Sequence, residues 1–189
     1  MPDDDLYIGP TALAPGAPSR PDNVARLLII PLMLVFAALL TIVYVVFNVI
    51  AVDGISMAPG ILSGDRLLIT KGYHTPRRGD IVVFKAPTDQ GGTEDIVKRV
   101  VAVPGDTVEV RGDVAFINGA EESGYRLYRS QNDPTYVPPT KLAAGTVFVL
   151  GDNRPISYDS RMMGPVPTDE ILGRAVFIWA PINRMGEVK

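Results

Sequence analysis

Ser56 and Lys98 are the residues of this sequence whose types and settings suit covalent chemistry. Ser56 opens the run Ser56-Met57-Ala58-Pro59 directly after a long uncharged apolar segment, so it is either a turn residue or a nucleophile held near a membrane surface. The chain has no cysteine and a single histidine, His74, which argues against thiol nucleophiles, disulfides, His/Cys zinc sites and a Ser-His-Asp triad. His74 lies in a turn-rich link and is expected to be an exposed loop residue. A serine nucleophile would need another base, and lysine is the usual substitute.

Lys98 is a candidate for that base because it lies in an apolar run, Asp95 to Val103, that is typical of a β-strand. With a two-residue period its side chain shares a face with Ile96 and Val100, whereas Arg99 points the other way, so one of the two charges should face the core. Burial can lower a lysine pKa by up to about 3–5 units from ~10.4, into the working range of a general base. The alternative is an edge-strand lysine whose ammonium reaches water.

The uncharged segment from Leu27 to Val52 ends just before Ser56 and is expected to anchor the chain in a membrane. About 26 residues at ~1.5 Å per residue exceed the ~30 Å hydrocarbon core, so we expect a tilted transmembrane helix over 27–52. Arg20 and Arg26 precede the segment and Asp53 follows it, which by the positive-inside tendency places the N-terminus in the cytoplasm. Residues 1–26 are rich in acidic residues and proline, and are predicted to be a disordered cytoplasmic tail.

The remainder, residues 53–189, is predicted to be one β-rich extracytoplasmic domain. Asn118-Gly119 is its strongest hairpin signal. We expect a partly irregular excursion from Glu121 to Ala144, and a helical turn over Pro167 to Leu172 that Gly173 closes. β-branched and aromatic residues between turn residues predict strands over 66–70, 80–84, 96–103, 107–110, 114–117, 146–150 and 175–179.

Charge and composition argue against two other classes of function. A net charge of −3 without a long basic block gives no footprint for nucleic acid. The residues that suit chemistry form a serine and lysine pair, for which no metal or organic cofactor is expected.

Four stretches taken together resemble the successive sequence boxes of the type I signal peptidases. Their order, their spacing and the preceding apolar segment match that family over nearly the whole predicted domain. The stretches are Ser56-Met57-Ala58-Pro59 followed by Gly64-Asp65; Arg78-Gly79-Asp80-Ile81-Val82-Val83-Phe84; Lys98-Arg99-Val100-Val101-Ala102-Val103-Pro104-Gly105-Asp106; and Gly151-Asp152-Asn153-Arg154 with Ser157, Asp159-Ser160-Arg161 and Gly164.

The resemblance implies a role for each matching residue. Ser56 matches the nucleophile that attacks the scissile carbonyl, and Lys98 matches the general base that takes its proton. Ser157 matches the hydroxyl that orients the lysine amine. Asp159 and Arg161 match residues that brace the site.

The resemblance also bears on the oxyanion and on the substrate. Some family members help to hold the oxyanion with a serine two residues before the nucleophile; this chain has Gly54 there, so the oxyanion would rely on backbone N–H groups around Gly54 and Ser56. An extended substrate is expected to pair with Asp53 to Ile55 and with Asp95 to Val97. Ile96 and Val97 are candidate walls of shallow pockets that admit small side chains.

The sequence therefore predicts a mainly β, antiparallel ectodomain of the signal peptidase type behind one N-terminal transmembrane helix. The implied function is removal of signal peptides from secreted preproteins by a membrane-anchored serine endopeptidase, with signal peptides and the lipid bilayer as partners. A self-cleaving repressor-type Ser/Lys peptidase is a rival, but that family carries a DNA-binding helical module where this chain has an apolar segment. A second rival is a tethered β-domain that binds extended peptides without cutting them, against which the presence of both Ser56 and Lys98 argues.

Overall fold

The first element of the chain is a long apolar helix. The computed structural model describes residues 23–87 and 91–188, so most of the predicted tail over 1–26 lies outside the described residues. Helix α1 spans Asn23–Val46. From Arg26 to Val46 it is long and apolar enough to cross a membrane, by length and composition, and this stretch is not buried in the protein. Large apolar side chains exposed along a helix suit a lipid-facing surface.

The bounds of α1 differ from the predicted helix over 27–52. Residues Phe47–Ala51 form strand β1, which pairs antiparallel with β2, Arg66–Lys71. Hydropathy does not distinguish an apolar strand from an apolar helix, and the pairing with β2 gives the backbone of β1 its hydrogen bonds. The chain divides into two compact units between Leu40 and Thr41, so α1 begins in the first unit and ends in the second.

A large antiparallel sheet forms much of the second unit. Besides β1 and β2, its strands are β3 (Ile81–Pro87), β4 (Thr93–Ala102), β9 (Thr146–Leu150), β10 (Val166–Pro167), β11 (Ile171–Ala180) and β12 (Gly186–Glu187). They lie in the order β1-β2-β11-β3-β4-β9-β10, and β12 pairs with β11.

A smaller antiparallel sheet follows β4 in the chain. Its strands are β5 (Thr107–Arg111), β6 (Val114–Ile117), β7 (Ala120–Glu121) and β8 (Tyr136–Lys141), in the order β7-β6-β5-β8. The predicted hairpin is confirmed: Asn118 and Gly119 have φ values of 53° and 84°, as the turn between β6 and β7 requires. Strand β8 lies inside the excursion that the sequence predicted to be partly irregular.

The prediction for residues 167–173 is partly wrong. A 3-10 turn occupies Thr168–Glu170, but Gly173 lies inside β11 instead of closing a helix. A Cβ at Gly173 would collide with the carbonyl oxygen of Thr70 in β2, so this glycine allows two strands to approach closely. A short helix that was not predicted, α2, spans Ser160–Met163 with Asp159 as its N-cap.

Two apolar clusters hold the parts that carry the site. One packs the turn after β1 onto the large sheet and includes Met57, Ile61, Val83 and Val97. The other joins β4 and β9 to the small sheet. The predicted fold class, mainly antiparallel β behind one apolar helix, is confirmed.

Candidate active site

Ser56 lies in the turn between β1 and β2. The Val52 N–H donates to the Asp65 carbonyl at 2.8 Å and the Gly64 N–H donates to the Val52 carbonyl at 2.9 Å, which closes the base of the turn. The neighbouring Met57 is 1% exposed in the core, where burial of such a side chain contributes roughly 1.5–3 kcal/mol. An anchored neighbour therefore fixes Ser56, which itself remains partly accessible.

Lys98 reaches this serine from β4. Its backbone is paired with Val82 of β3, its side chain is 3% exposed, and its Nζ donates to Ser56 Oγ at 2.7 Å. When the amine is neutral, the same separation allows the hydroxyl to donate its proton to Nζ. That is the geometry a general base needs toward its nucleophile.

Burial lowers the pKa of Lys98 to about 8, although the carboxylates of Asp159, Glu94 and Asp152 favour the charged amine and oppose this shift. At this pKa roughly one amine in ten is neutral at pH 7, compared with about 4 in 10,000 for an ordinary lysine. The apolar setting therefore makes the amine a usable base near neutral pH.

Arg99 departs from the sequence expectation that only one of the two neighbouring cations would be buried. It lies on the opposite face of β4 from Lys98, yet it is only 2% exposed. Its Nε and Nη2 donate to the Asp152 carboxylate at 2.8 and 2.7 Å, and its Nη1 donates to the Gly79 carbonyl at 2.9 Å. A two-pronged ion pair with a residue far along the chain makes this second buried charge tolerable.

The segment after β9 holds Ser56 from the other side. The Asn153 N–H donates to the Ser56 carbonyl at 2.9 Å, and its Nδ2 donates to the Ile55 carbonyl at 3.2 Å. A Cβ at Gly151 would lie 2.6 Å from the Ser56 carbonyl oxygen and would collide with Ser157 Oγ, so the segment needs glycine there. The sequence analysis gave Asn153 no role, although its place in the Gly-Asp-Asn stretch was an available signal.

Ser157 lies beside the pair without a visible hydrogen bond to it. The residue is 3% exposed, and its Oγ is the buried side-chain oxygen that lacks a hydrogen-bond partner among the residues the structure describes. The hydrogen bond from Lys98 goes to Ser56 instead. The orienting role expected of Ser157 therefore stays a prediction.

Asp159 and Arg161 form a buried ion pair that is hydrogen-bonded to the backbone of this segment. Asp159 is fully buried, and its carboxylate accepts from the Gly151 N–H at 3.0 Å and from Arg161 Nε at 2.9 Å. Arg161 also donates to the Ser157 carbonyl at 3.3 Å and to Asp113 Oδ1 at 3.0 Å. The two residues fix the backbone on either side of Ser157.

A groove of about 350 Å³ opens onto the serine and the lysine. The residues predicted to bind substrate all line it: Asp53, Ile55, Asp95, Ile96 and Val97. Strand β4 pairs with β3 along 93–99, but β9 joins its other edge only from Arg99 onward. Within the described residues, the second edge of β4 is thus unpaired along the groove, as addition of a strand requires.

The two backbone N–H groups predicted to hold the oxyanion, those of Gly54 and Ser56, differ in their hydrogen bonding. The Gly54 N–H donates to Ser63 Oγ at 3.3 Å, a contact that no sequence signal marked. In the described part of the chain the Ser56 N–H has no hydrogen-bond partner. Of the two predicted oxyanion donors, the Ser56 N–H is thus the one that stays available to bind a substrate oxygen.

Comparison with known proteins finds a family and several relatives to which this chain is similar. Residues 24–180 match the family described as signal peptidase, peptidase S26. A signal peptidase I from Leptolyngbya laminosa is 44% identical over 144 residues, which are 70% of this chain and 68% of that protein. Signal peptidase I T from Bacillus subtilis strain 168 is 32% identical over 170 residues, which are 82% of this chain and 86% of that protein. A crystal structure of a signal peptidase I from Enterococcus faecalis V583 shares 34% identity, covers 53% of this chain and 96% of that chain, and gives a TM-score of 0.43.

These matches, together with an exposed apolar helix ahead of a β domain, define a membrane-anchored serine endopeptidase. Within that class the chain belongs to the signal peptidase family, peptidase S26.

Proposed function

We propose that this signal peptidase removes N-terminal signal peptides from secretory preproteins with Ser56 as nucleophile and Lys98 as general base. The observation that carries the proposal is the 2.7 Å separation of Lys98 Nζ from Ser56 Oγ, on an amine that is 3% exposed. The neutral amine takes the hydroxyl proton as Oγ attacks the scissile carbonyl. The resulting ammonium returns that proton to the leaving amine, and a water then hydrolyses the acyl-enzyme with the same base.

Hydrogen bonds around the dyad would stabilise the charge that develops on the substrate oxygen. The Ser56 N–H is the first oxyanion donor in this proposal, and Gly54 gives the backbone the freedom to bring the oxygen close, since its φ is 106°. Ser157 would orient the amine, and Asp159 with Arg161 would hold Ser157 in place.

The substrate would bind as an added strand in the groove. Its main chain would pair with the open edge of β4 at Asp95 to Val97 and with the turn at Asp53 to Ile55. Val97 is 8% exposed and belongs to the core, and Ile96 is half-buried, so the walls they form are held in place. The resemblance to the family implies that these walls bound shallow pockets for small side chains near the cut.

We further propose that α1 anchors the enzyme in the lipid bilayer with its N-terminus in the cytoplasm and its catalytic domain outside. Arg26 at the start of the apolar stretch and Asp53 after it support this orientation. Because Ser56 follows β1, the nucleophile would lie close to the membrane surface, where the cleavage site of a signal peptide emerges.

Cleavage of a secretory precursor by the purified full chain tests the proposal, with the cut mapped by mass spectrometry. Wild-type protein should cut at one site after a small residue, whereas Ser56→Ala and Lys98→Met should each lower the rate by at least about 10³-fold. Lys141→Met is the matched control, since Lys141 is an exposed lysine of β8 that does not line the groove. Substantial cleavage by either dyad variant would reject the assignment of these two residues.

A further inference from the structure

A buried ion pair connects the excursion after β7 to the segment that holds the nucleophile. The side chain of Arg154 is 0% exposed and that of Glu122 is 3% exposed. Both Nη atoms of Arg154 donate to the Glu122 carboxylate, with 2.7 Å between Nη2 and Oε2. The Nε atom of Arg154 donates to the Gly151 carbonyl at 2.8 Å, and its Nη1 donates to the Asp113 carbonyl at 2.9 Å. The guanidinium therefore holds the start of this segment in place through its hydrogen bond to the Gly151 carbonyl.

The backbone of the excursion adds a second connection to the same segment. The Tyr128 N–H donates to the Asp152 carbonyl at 2.9 Å, and the Arg154 N–H donates to the Tyr128 carbonyl at 3.0 Å. These bonds form an isolated parallel bridge between Tyr128 and Asn153. Asn153 in turn donates to the carbonyls of Ser56 and Ile55. A continuous path of contacts thus runs from Glu122 to the nucleophile.

We propose that Glu122 is a positioning residue for signal-peptide cleavage: through Arg154 it holds the segment 151–157 against the carbonyl of Ser56. The proposal deepens the function assigned above and rests on Ser56 and Lys98 as the reacting pair. Glu122 contacts neither of them. Besides Arg154, its carboxylate accepts from the Ala115 N–H at 3.4 Å and lies 3.6 Å from Arg129 Nη2. Its proposed effect on the reacting pair runs through Arg154 and the segment.

The physical reason lies in the burial of the guanidinium. A buried arginine that loses its carboxylate keeps an uncompensated charge in a low-dielectric setting, so it moves toward water or draws water in. Either change releases the Gly151 carbonyl. The segment lies directly against the turn that carries Ser56, since a Cβ at Gly151 would be 2.6 Å from the Ser56 carbonyl oxygen, so a shift of the segment is passed on to that turn. A displacement of about 1 Å at a nucleophile can cost roughly 10²-fold in rate.

The test is Glu122→Gln, which keeps the shape of the side chain and removes its charge. Glu109→Gln is the matched control, because it makes the same change at another carboxylate of the small sheet, whose partner Arg111 at 2.7 Å is 62% exposed. Precursor cleavage is measured with both variants, the wild type and Ser56→Ala, well below each melting temperature. We expect kcat of Glu122→Gln to fall at least about 10-fold with KM nearly unchanged, and the control to match wild type.

The pH profile separates positioning from a simple loss of charge. Glu122 is not among the carboxylates that act on Lys98, which are Asp159, Glu94 and Asp152. Removal of a distant negative charge would lower the pKa of an amine, whereas water entering beside a loosened segment would raise it toward its ordinary value. We therefore expect the acid limb of kcat/KM for Glu122→Gln to move to higher pH.

Three outcomes decide between the alternatives. If Glu122→Gln lowers only the melting temperature, with wild-type kcat and pH profile, the positioning role is overturned and the ion pair is merely structural. If Glu122→Gln does not fold, Glu122→Asp replaces it: the retained charge on a shorter arm should give a smaller shift in the same direction, and a wild-type profile would overturn the proposal. Cleavage by Ser56→Ala would instead reject the reacting pair itself, whatever Glu122→Gln does.

Discussion

At the scale of single residues, the burial that activates Lys98 also destabilises the fold. The pKa of Lys98 is about 8 in the folded chain, compared with 10.5 for a free lysine. Between these two values the unfolded chain binds more protons than the folded chain, so this residue makes stability rise with pH across that window. Below about pH 8 Lys98 is charged in both the folded and the unfolded chain. The cost of burying that charge then lowers the free energy of unfolding by its maximum.

Replacement of Lys98 by methionine should therefore stabilise the protein while it abolishes cleavage. We expect Lys98→Met to raise the free energy of unfolding at pH 7 by on the order of 2–3 kcal/mol, since the cost of a buried charge disappears and the volume is kept. The gain should shrink as pH rises from about 8 to 10.5. Chemical denaturation at several pH values measures it, and Lys85→Met, at the surface, should change stability by less than about 0.5 kcal/mol. If Lys98→Met is less stable than the wild type at pH 7, the claim that the buried amine lowers the free energy of unfolding is wrong.

The sequence was informative for Lys98 and misleading for Arg99. Alternation along an apolar strand predicts that Lys98 is buried, because the signal lies within a few neighbouring residues. The burial of Arg99 depends on Asp152, a partner 53 positions along the chain that no local pattern indicates. The same limit applies to Glu122, whose partner Arg154 lies 32 positions along the chain.

At the scale of elements, the segment after β9 positions the site together with the strands. It presents Asn153 to the nucleophile turn, buries Ser157 beside it, and is itself held by Asp159 and Arg161. Each contact depends on a close approach of backbones at Gly151. A side chain at that position would separate the segment from the turn that carries Ser56.

Gly151→Ala should disable the site with a modest loss of stability. The added methyl group would force Ser157 and the Ser56 carbonyl apart, so we expect kcat to fall by about 10²-fold and the free energy of unfolding to fall by about 1–3 kcal/mol. Gly186→Ala is the control, because nothing lies within 4 Å of a Cβ there and its φ is ordinary. Steady-state cleavage and thermal unfolding measure the two effects; wild-type kcat in Gly151→Ala would argue that the close approach is unimportant.

The strands that the sequence predicted share β-branched and aromatic residues and flanking turn residues, and all seven runs overlap strands in the structure. The elements that it missed lack those signals. Strand β1 continues an apolar run that is already long enough for a membrane, and β8 includes two prolines, Pro138 and Pro139, that a strand interior usually excludes. Gly173 resembles a helix C-cap in sequence, but the close packing of β11 on β2 requires it.

At the scale of the whole molecule, an apolar helix leads directly into the sheet that carries the site. Helix α1 ends at Val46, β1 follows at Phe47, and Ser56 lies in the next turn. Few residues therefore separate the end of the apolar stretch from the nucleophile. With α1 in the bilayer and Ser56 as nucleophile, as proposed above, a substrate whose own apolar segment lies in the same bilayer would present its cleavage site close to Ser56.

The most direct test of the neutral, buried amine as base is the pH dependence of kcat/KM for the full chain in lipid vesicles, with His74→Gln as the control. Since kcat/KM reports the free enzyme, it should rise about 10-fold per pH unit and level off above about pH 8, identically with and without His74. A limb near pH 6.5 that disappears in His74→Gln, or a rate independent of pH from about 6 to 9, would contradict Lys98 as the general base.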